Sequence, residues 1–536
     1  MIRIILDGHE TFVPHGATLL DAAVKLGIPI PTLCHLDGCR AGTSCMVCVV
    51  RVEGLKRLVP SCAFPVREGL VVHSEDPEVR EARRAAVELL LSEHVGDCEA
   101  PCQRACPANM DIPLMLRQIA DGTLDEALTT VRRDIALPSI LGRICPAPCE
   151  RVCRRGKVDQ PVSICLAKRL VGDTDLMKAP PGSPPAAPAT GKTVAIIGAG
   201  PAGLSAAYYL RARGHDCVVF DEQAEAGGAL RRDVPESALP RAVLEAEVAV
   251  IRRMGVVFKM GVRVGDATAL MALRAQHDAV ILAVGPLTGD GARALGVEAG
   301  ERGIQVQSGT YLTSQAGVFA IGAAVRPIRM AVRAGADGKE SAFACDLFLR
   351  SGAVAAEPRR FNSVIGKLTE GELQDFGRQA DPRPRQEPRD GKGFDAGQGA
   401  DEARRCLHCD CRKVETCRLR AVADALGAQA RRFAEAQRIS VTFNRQHPEV
   451  IYEPGKCIKC GLCVRLTGQH GEALGLGFVN RGFATRVQVP FGASLSEALT
   501  HTAAKVVAAC PTGALATLTD RPHRDTDEYS SLPQKS

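Results

Sequence analysis

Apolar and polar positions divide the chain into stretches of different period. Residues 2–6 and 10–13 read as two short strands around the turn Asp7-Gly8, followed by a helix from Thr18 to Leu26. A charged helix is expected over Val79 to Glu93. The strongest pattern is VAIIGAGPAGLSAAYYLRARGHDCVVFD, Val194 to Asp221. Its β-branched run ends at Gly198, an Ala/Leu-rich helical stretch follows, and a second buried strand, Cys217 to Phe220, closes on Asp221. Two stretches without periodicity, residues 178–191 and 380–400, read as polar or Pro/Ala linkers at domain boundaries. The tail beyond about Asp520 is polar and is expected to be disordered.

Composition narrows the class. At 536 residues the chain is too long for one core, and three to five domains are expected. A hydrophobic share of 46% with 24% charged is that of a globular protein. The net charge of +6 is spread over the whole length and does not argue for nucleic acid. No run of eighteen apolar residues predicts a membrane span, and MIRIILDGHE lacks the layout of a signal peptide. The 22 cysteines lie mostly in tight groups, often followed by proline. With no export signal, that pattern predicts metal or cluster ligation in a reducing compartment, here the cytoplasm. Cys39, Cys217 and Cys345 fall outside any ligand spacing and read as small buried hydrophobes.

Gly198, Gly200 and Gly203 form G-x-G-x-x-G, with Pro201 and Ala202 between them. Gly198 makes the tight turn, Gly200 lets backbone N–H groups approach a pyrophosphate, and Gly203 allows helix and strand to pack closely. The helix N-terminus faces the phosphate charge and Asp221 stands where an acid binds a ribose hydroxyl. An empty Rossmann unit is the bland alternative. Beyond Asp221, AEAGGALRRDVPESALPRAVLEAEV, with Gly227, Gly228 and Pro235, resembles the G-G-x-L-x-x-x-I-P element of the glutamate synthase small subunit. In that family the element lies against FAD. The resemblance implies an FAD site that includes Asp221, Glu222, Gly228 and Leu230, with Asp221 in place of the family's ribose-binding Glu. DAVILAVG (278–285) and GVFAIGA (317–323) match that domain's later strands and add Gly285 and Gly322.

Two departures bear on function. Relatives carry a second Rossmann domain, for NADPH, between those two strands. Gly285 to Gly317 leaves some thirty residues, too few for it, and the NAD(P)H domain is expected to be missing. The family's G-D is Gly322-Ala323 here, which removes a carboxylate that contacts the flavin's ribityl–phosphate region.

Cys34, Cys45, Cys48 and Cys62 have the spacing C-x10-C-x2-C-x13-C. This resembles the [2Fe–2S] domain of the large iron–sulfur subunit of NADH–quinone oxidoreductase and its relatives in hydrogenases and formate dehydrogenases. A zinc site is the alternative. After the charged helix come His94, Cys98, Cys102 and Cys106, then ICPAPCERVC (Cys145, Cys149, Cys153) and PVSIC (Cys165). His94 and Cys98 keep the phase of that respiratory subunit's H-x3-C-x2-C-x5-C. The later spacing resembles the helical domain of the glutamate synthase small subunit and dihydropyrimidine dehydrogenase, which folds two [4Fe–4S] clusters. The resemblance implies one cluster on Cys98, Cys102 and Cys153, with His94 either a fourth ligand or an ordinary surface histidine. It implies another on Cys106, Cys145 and Cys149, with Cys165 near the place of that family's non-cysteine ligand. The first site lacks the family's first cysteine.

Cys406, Cys409, Cys411 and Cys417, in RCLHCDCRKVETC, lie so close that they are expected to share one cluster or zinc ion. Cys457, Cys460 and Cys463, joined after a long spacer by Cys510 in ACPTGAL, predict a [4Fe–4S] site. LGFVNRGF and CPTGAL again resemble the respiratory subunit.

The expected fold is multidomain, α+β and α/β. It comprises a β-grasp [2Fe–2S] domain (1–78), a helical double [4Fe–4S] domain (79–177) and a Rossmann-like FAD domain (192–355). A Cys-rich segment (400–425) and a ferredoxin-like [4Fe–4S] domain (440–520) complete it. FAD, one [2Fe–2S] and three or four [4Fe–4S] clusters would make an electron-transfer subunit of a larger oxidoreductase of hydrogenase, formate dehydrogenase or bifurcating type. Its partners would include a flavin-containing NADH-oxidising subunit or a ferredoxin. The rival readings are a self-sufficient NAD(P)H:acceptor oxidoreductase and a zinc-stabilised scaffold with an empty Rossmann fold. No proton-transfer residues stand out.

Overall fold

A computed structural model describes residues 1–182, 187–389, 391–433 and 438–518; the tail expected beyond Asp520 and part of the 178–191 linker lie outside them. The chain forms two compact units. Unit 1 is Met1–Glu99, Arg360–Arg378 and Cys409–Ser536; unit 2 is Ala100–Arg359 and Gln379–His408. Along the sequence, then, unit 2 interrupts unit 1.

Unit 1 opens with a five-stranded sheet in the order His9–Val13, Ile2–Leu6, Leu70–His73, Val49–Val52, Val59–Pro60. Ile2–Leu6 runs antiparallel to His9–Val13 and parallel to Leu70–His73. Strand alternation turns Ile2, Ile4 and Leu6 inward, against Leu19, Ala22 and Ala23 of the helix Leu19–Lys25. That helix starts where it does because Thr18 and Asp21 form a reciprocal cap. The charged helix, Pro77–Ser92, is capped by Asp76 and packs Val87 and Leu91 against Leu419 and Ala423 of the helix Arg418–Leu426. The C-terminal part pairs Val450–Tyr452 antiparallel with Leu515–Thr517, covered by the helices Leu462–Gln469 and Ala503–Ala509.

Unit 2 joins a helical layer to a parallel sheet. The helices Ile112–Ala120, Leu124–Asp134 and Ile164–Leu176 share one core, and Leu141 of the helix Pro138–Ile144 packs into it. The sheet order is Val318–Ala320, Ala279–Leu282, Thr193–Ile197, Asp216–Asp221, Val257–Met260, all parallel. The helices Pro201–Ala212 and Ala331–Ser351 meet so closely that a Cβ on Gly338 would lie 2.5 Å from the Ala202 carbonyl. Between Leu282 and Val318 the described residues hold one short helix, Gly289–Ala294, and a two-residue hairpin, Ala299–Gly300 with Gly303–Ile304.

The second linker reading fails at its end. Ala396–Ala403 is a helix, capped by Asp395 accepting the Gln398 N–H at 2.7 Å, and Phe394 and Ala403 bury in the helical core of unit 2. Small residues, not apolar periodicity, drive this contact: a Cβ on Gly399 would collide with Leu170. No described helix is long and apolar enough to cross a membrane.

Candidate redox centres

The glycine turn is built as its sequence predicts. Gly198 has φ +111° and a Cβ there would collide with the Ala283 carbonyl, while a Cβ on Gly203 would collide with the carbonyl of Gly198. Around Gly200 a Cβ would meet no atom within 4 Å, and no side chain caps the helix it starts. The first-turn N–H groups of Ala202 and Gly203 are thus presented beside open space, as a dinucleotide pyrophosphate would need. Gly228 and Gly322 close on the same turn, with built Cβ atoms 2.9 Å from Gly200 Cα and 3.0 Å from Ala202 Cβ. Leu230 is buried beside this layer; Gly285 has φ +82° and open space around it. Asp221, expected at the ribose, closes the second strand beside this turn. Its carboxylate oxygens accept the Ala199 N–H at 2.6 Å and the Gln223 N–H at 2.9 Å, bracing the turn, while Glu222 beside it is exposed.

None of the 22 cysteines is in a disulfide. In the N-terminal domain Cys34, Cys45, Cys48 and Cys62 are at most 4% exposed. They stand in two pairs: Cys34 with Cys45, and Cys48 with Cys62, whose sulfurs are 3.4 Å apart. The thiol hydrogen bond from Cys45 holds Cys34 well below the ordinary thiol value, and that from Cys62 does the same for Cys48. Two pairs are what two tetrahedral irons sharing sulfides would take.

In unit 2 the structure brings Cys106, Cys145, Cys149 and Cys165 together. Cys165 exchanges thiol hydrogen bonds with both Cys145 and Cys149. Lys168, one helical turn beyond Cys165, is buried among all four. Burial alone would neutralise it, but the nearby thiolates of Cys165, Cys145, Cys106 and Cys149 hold its ammonium above the usual lysine value. Sequence reading missed this cation; its place three residues after a candidate ligand was the available signal. Cys102, Cys153 and Cys406 border the same helical core.

The group expected at 406–417 lies on both sides of the point where the chain passes between the two units. Cys406 belongs to unit 2, whereas Cys409, Cys411 and Cys417 belong to unit 1, because the chain passes from one to the other after His408. Cys411 packs with Cys98 and Val414, and Cys417 joins a core containing Cys34, Cys45 and Cys460. Cys98, expected with Cys102 and Cys153, is likewise in unit 1 while those two are in unit 2. His94 is not a free surface histidine: Nδ1 lies 3.1 Å from the Lys456 carbonyl, and burial with the Lys456 charge pushes it down to about 4, so the ring is neutral. Lys456, also missed, is buried against Cys411 and pairs with Glu453 at 2.6 Å.

Cys457, Cys460, Cys463 and Cys510 line one small cavity together with Tyr452, Leu462 and Val487. Burial raises Cys457 to about 11 and Cys460 to about 12. Among the described residues no group of three His, Cys, Asp or Glu side chains is set to hold a single metal ion.

A backbone device recurs at these cysteines. The N–H two residues on donates to the thiol sulfur at Cys45, Cys106, Cys145, Cys411 and Cys460, and at 3.4 Å at Cys406 and Cys457. Such donors suit a sulfur that carries negative charge toward iron. Cys217 and Cys345 have no such donor; Cys217 instead gives its S–H to the His215 carbonyl at 3.7 Å. Cys39 donates to Gln469 at 2.9 Å.

Comparison with known proteins agrees with this layout. Residues 1–77 match the 2Fe–2S iron–sulfur cluster binding domain, residues 78–179 the dihydropyrimidine dehydrogenase domain II with its 4Fe–4S cluster, and residues 196–258 the NAD(P)-binding Rossmann-like domain. The chain is 39% identical over 207 residues to the NADP(+)-dependent formate dehydrogenase subunit beta of Moorella thermoacetica, covering 35% of this chain and 29% of that one. It is 38% identical over 195 residues to the NAD-dependent dihydropyrimidine dehydrogenase subunit PreT of Escherichia coli, covering 36% and 47%. It is 35% identical over 190 residues to the glutamate synthase [NADPH] small chain of Mycobacterium tuberculosis, covering 35% and 39%. The chain thus spans less than half the length of each of these relatives. It is an iron–sulfur protein with 2Fe–2S, dihydropyrimidine-dehydrogenase-type 4Fe–4S and NAD(P)-binding Rossmann-like domains, homologous to the formate dehydrogenase beta subunit, PreT and the glutamate synthase small chain.

Proposed function

We propose that this chain is the electron-transfer iron–sulfur flavoprotein subunit of a multisubunit oxidoreductase. One observation carries the reading. Buried cysteines with sulfur-directed backbone donors recur in both units, and unit 2 also carries a glycine turn whose cradle at Gly200 stands open. FAD is the nucleotide this turn would hold, with Gly198, Gly200 and Gly203 admitting its pyrophosphate and Gly228 and Leu230 lying alongside. A bound flavin supplies the exchange between electron pairs and the single electrons that clusters accept. The chain's own residues would bind and bury these groups, exclude water from the thiolates and set cluster potentials through N–H donors and the buried ammonium groups of Lys168 and Lys456.

The domain division at 1–78, 79–177, 192–355, 400–425 and 440–520 belongs to the same proposal, as do a β-grasp form for the first domain and a ferredoxin-like form for the last. So do one [2Fe–2S] and three or four [4Fe–4S] clusters. The interval between Leu282 and Val318 is too short for a nicotinamide domain, which favours a partner subunit that supplies the NAD(P)H or substrate chemistry. A reducing, cytoplasmic compartment suits free thiolate ligands.

Anaerobic reduction of the purified chain tests this reading. Dithionite should bleach flavin and cluster absorbance while NADH and NADPH leave both unchanged. Rapid reduction of the flavin by either nicotinamide would establish a self-sufficient enzyme instead, and a colourless, iron-free protein would leave the zinc scaffold.

A further inference from the structure

Cysteines from distant stretches of unit 1 meet where the sequence leaves that unit and returns to it. Cys98 stands one residue before the departure at Glu99, and Cys411 two residues after the return at Cys409. The Cys411 N–H donates to the Cys98 carbonyl at 3.1 Å, so the two segments are stitched together by backbone. Cys98, Cys411 and Val414 form a buried cluster of their own, and Cys417 meets the same strip of chain as Cys411: its Sγ lies 3.7 Å from the Pro511 carbonyl, two residues before the Gly513 that the Cys411 sulfur abuts. All three cysteines are buried, at 7%, 6% and 8% exposure.

Each of the three sulfurs receives a backbone donor. Ser363 N–H lies 3.4 Å from Cys98 Sγ, Arg420 N–H 3.4 Å from Cys417 Sγ, and Lys413 N–H points to Cys411. A cysteine that only fills space needs none of these, as Cys217 and Cys345 illustrate. Gly513 keeps room beside Cys411, since a Cβ there would collide with its sulfur. His94 lies four residues before Cys98 and is tied to Lys456, whose side chain flanks Gly513 as the Cys411 sulfur does. The Lys456 carbonyl can only accept, so His94 Nδ1 is the donor in their 3.1 Å contact and Nε2 keeps its lone pair.

We propose that Cys98, Cys411 and Cys417, with Nε2 of His94, ligate one [4Fe–4S] cluster assembled from both sides of the inserted unit. The proposal rests on reading the cysteine sets as clusters, and it regroups them: Cys411 and Cys417 part from Cys406, and Cys98 from Cys102 and Cys153. Because Cys417 shares a core with Cys34, Cys45 and Cys460, this centre adjoins both the N-terminal and the C-terminal cysteine sets of unit 1. It accepts and returns one electron, with no bond to the protein made or broken.

The test uses the full chain, purified anaerobically, reduced with dithionite and followed by EPR with pulsed detection of nitrogen couplings. One cluster signal should carry coupling to a single imidazole nitrogen. That signal should vanish in Cys98→Ala, Cys411→Ala and Cys417→Ala alike, with a loss of about four irons per chain, and persist in Cys406→Ala. His94→Cys should keep the iron and lose the nitrogen coupling. The [2Fe–2S] signal reports that each variant is folded. If Cys406→Ala and Cys411→Ala remove the same signal, the grouping is overturned. Where a cysteine variant fails to fold, the unaltered chain decides: absence of any imidazole coupling overturns the site. Iron-free protein would overturn the relay reading as well, whereas intact clusters grouped otherwise overturn this inference alone.

Discussion

A thiolate held inside a protein needs its charge met, and here the nearest peptide group two residues on meets it. At Cys145, Cys406 and Cys457 the donating residue is Ala147, His408 or Lys459, each at positive φ (52°, 47° and 55°) although none is glycine. A left-handed non-glycine residue costs about 1 kcal/mol, so the strain is concentrated where the backbone must turn an N–H onto sulfur. The glycine turn separates ligand from scaffold at the same scale. Gly200 has an extended backbone that any residue adopts and open space around it, whereas Gly203 has the Gly198 carbonyl against it. Gly200→Val should leave the unfolding midpoint of the flavin-free chain within about 0.5 kcal/mol and lower flavin content roughly tenfold or more. Gly203→Ala should destabilise by roughly 2–3 kcal/mol. Flavin retained at full occupancy in Gly200→Val would remove the nucleotide from this turn.

Between elements, one buried carboxylate joins the helical layer of unit 2 to its parallel-sheet layer. Glu247, on the helix Arg241–Arg253, accepts the Ser139 and Ile140 N–H groups at 2.9 and 3.0 Å, capping the helix Pro138–Ile144. Burial outweighs those two donors and raises it from 4.5 to about 7. The folded chain therefore keeps a proton that the unfolded chain releases. Stability from this group is full below about pH 4.5 and falls as pH rises to about 7. The loss amounts to at most about 3 kcal/mol. Chemical denaturation at pH 5 and pH 8 should show wild type losing more stability across that interval than Glu247→Gln. Parallel pH profiles for the two proteins would show that Glu247 does not titrate in this window.

At the scale of the whole molecule, each unit is contiguous in space but not in sequence. The N-terminal domain is the exception, for its core runs only from Ile2 to Val72 and its four cysteine candidates lie between Cys34 and Cys62. Residues 1–77 expressed alone should therefore fold and bind about two irons, giving a red-brown protein. A colourless, unfolded product would mean that this domain depends on the rest of unit 1. No such independence is expected for residues 409–518, because Cys411 and Cys417 pack with residues from the N-terminal stretch.

Local pattern was enough for what local physics decides. The strands at 2–6 and 216–221 and the helix at 77–92 follow apolar period and caps, and agree with their sequence-based bounds within a few residues. The G-x-G-x-x-G turn and the C-x2-C groups were legible because their spacing is itself the chemistry. Grouping of ligands depends on more than spacing. Cys98 and Cys102 are four residues apart and fall in different units, while Cys98 and Cys411 are joined by a backbone hydrogen bond across an inserted unit. The helix Ala396–Ala403 was hidden because small residues let it pack closely without an apolar stripe. No local pattern singles out Lys168 and Lys456, which burial surrounds with thiols. The sequence by itself determined the kinds of centre, since these depend on which residues stand within a few positions of one another. Only the tertiary structure can decide which residues share a centre, because that depends on where the chain departs from a core and where it comes back.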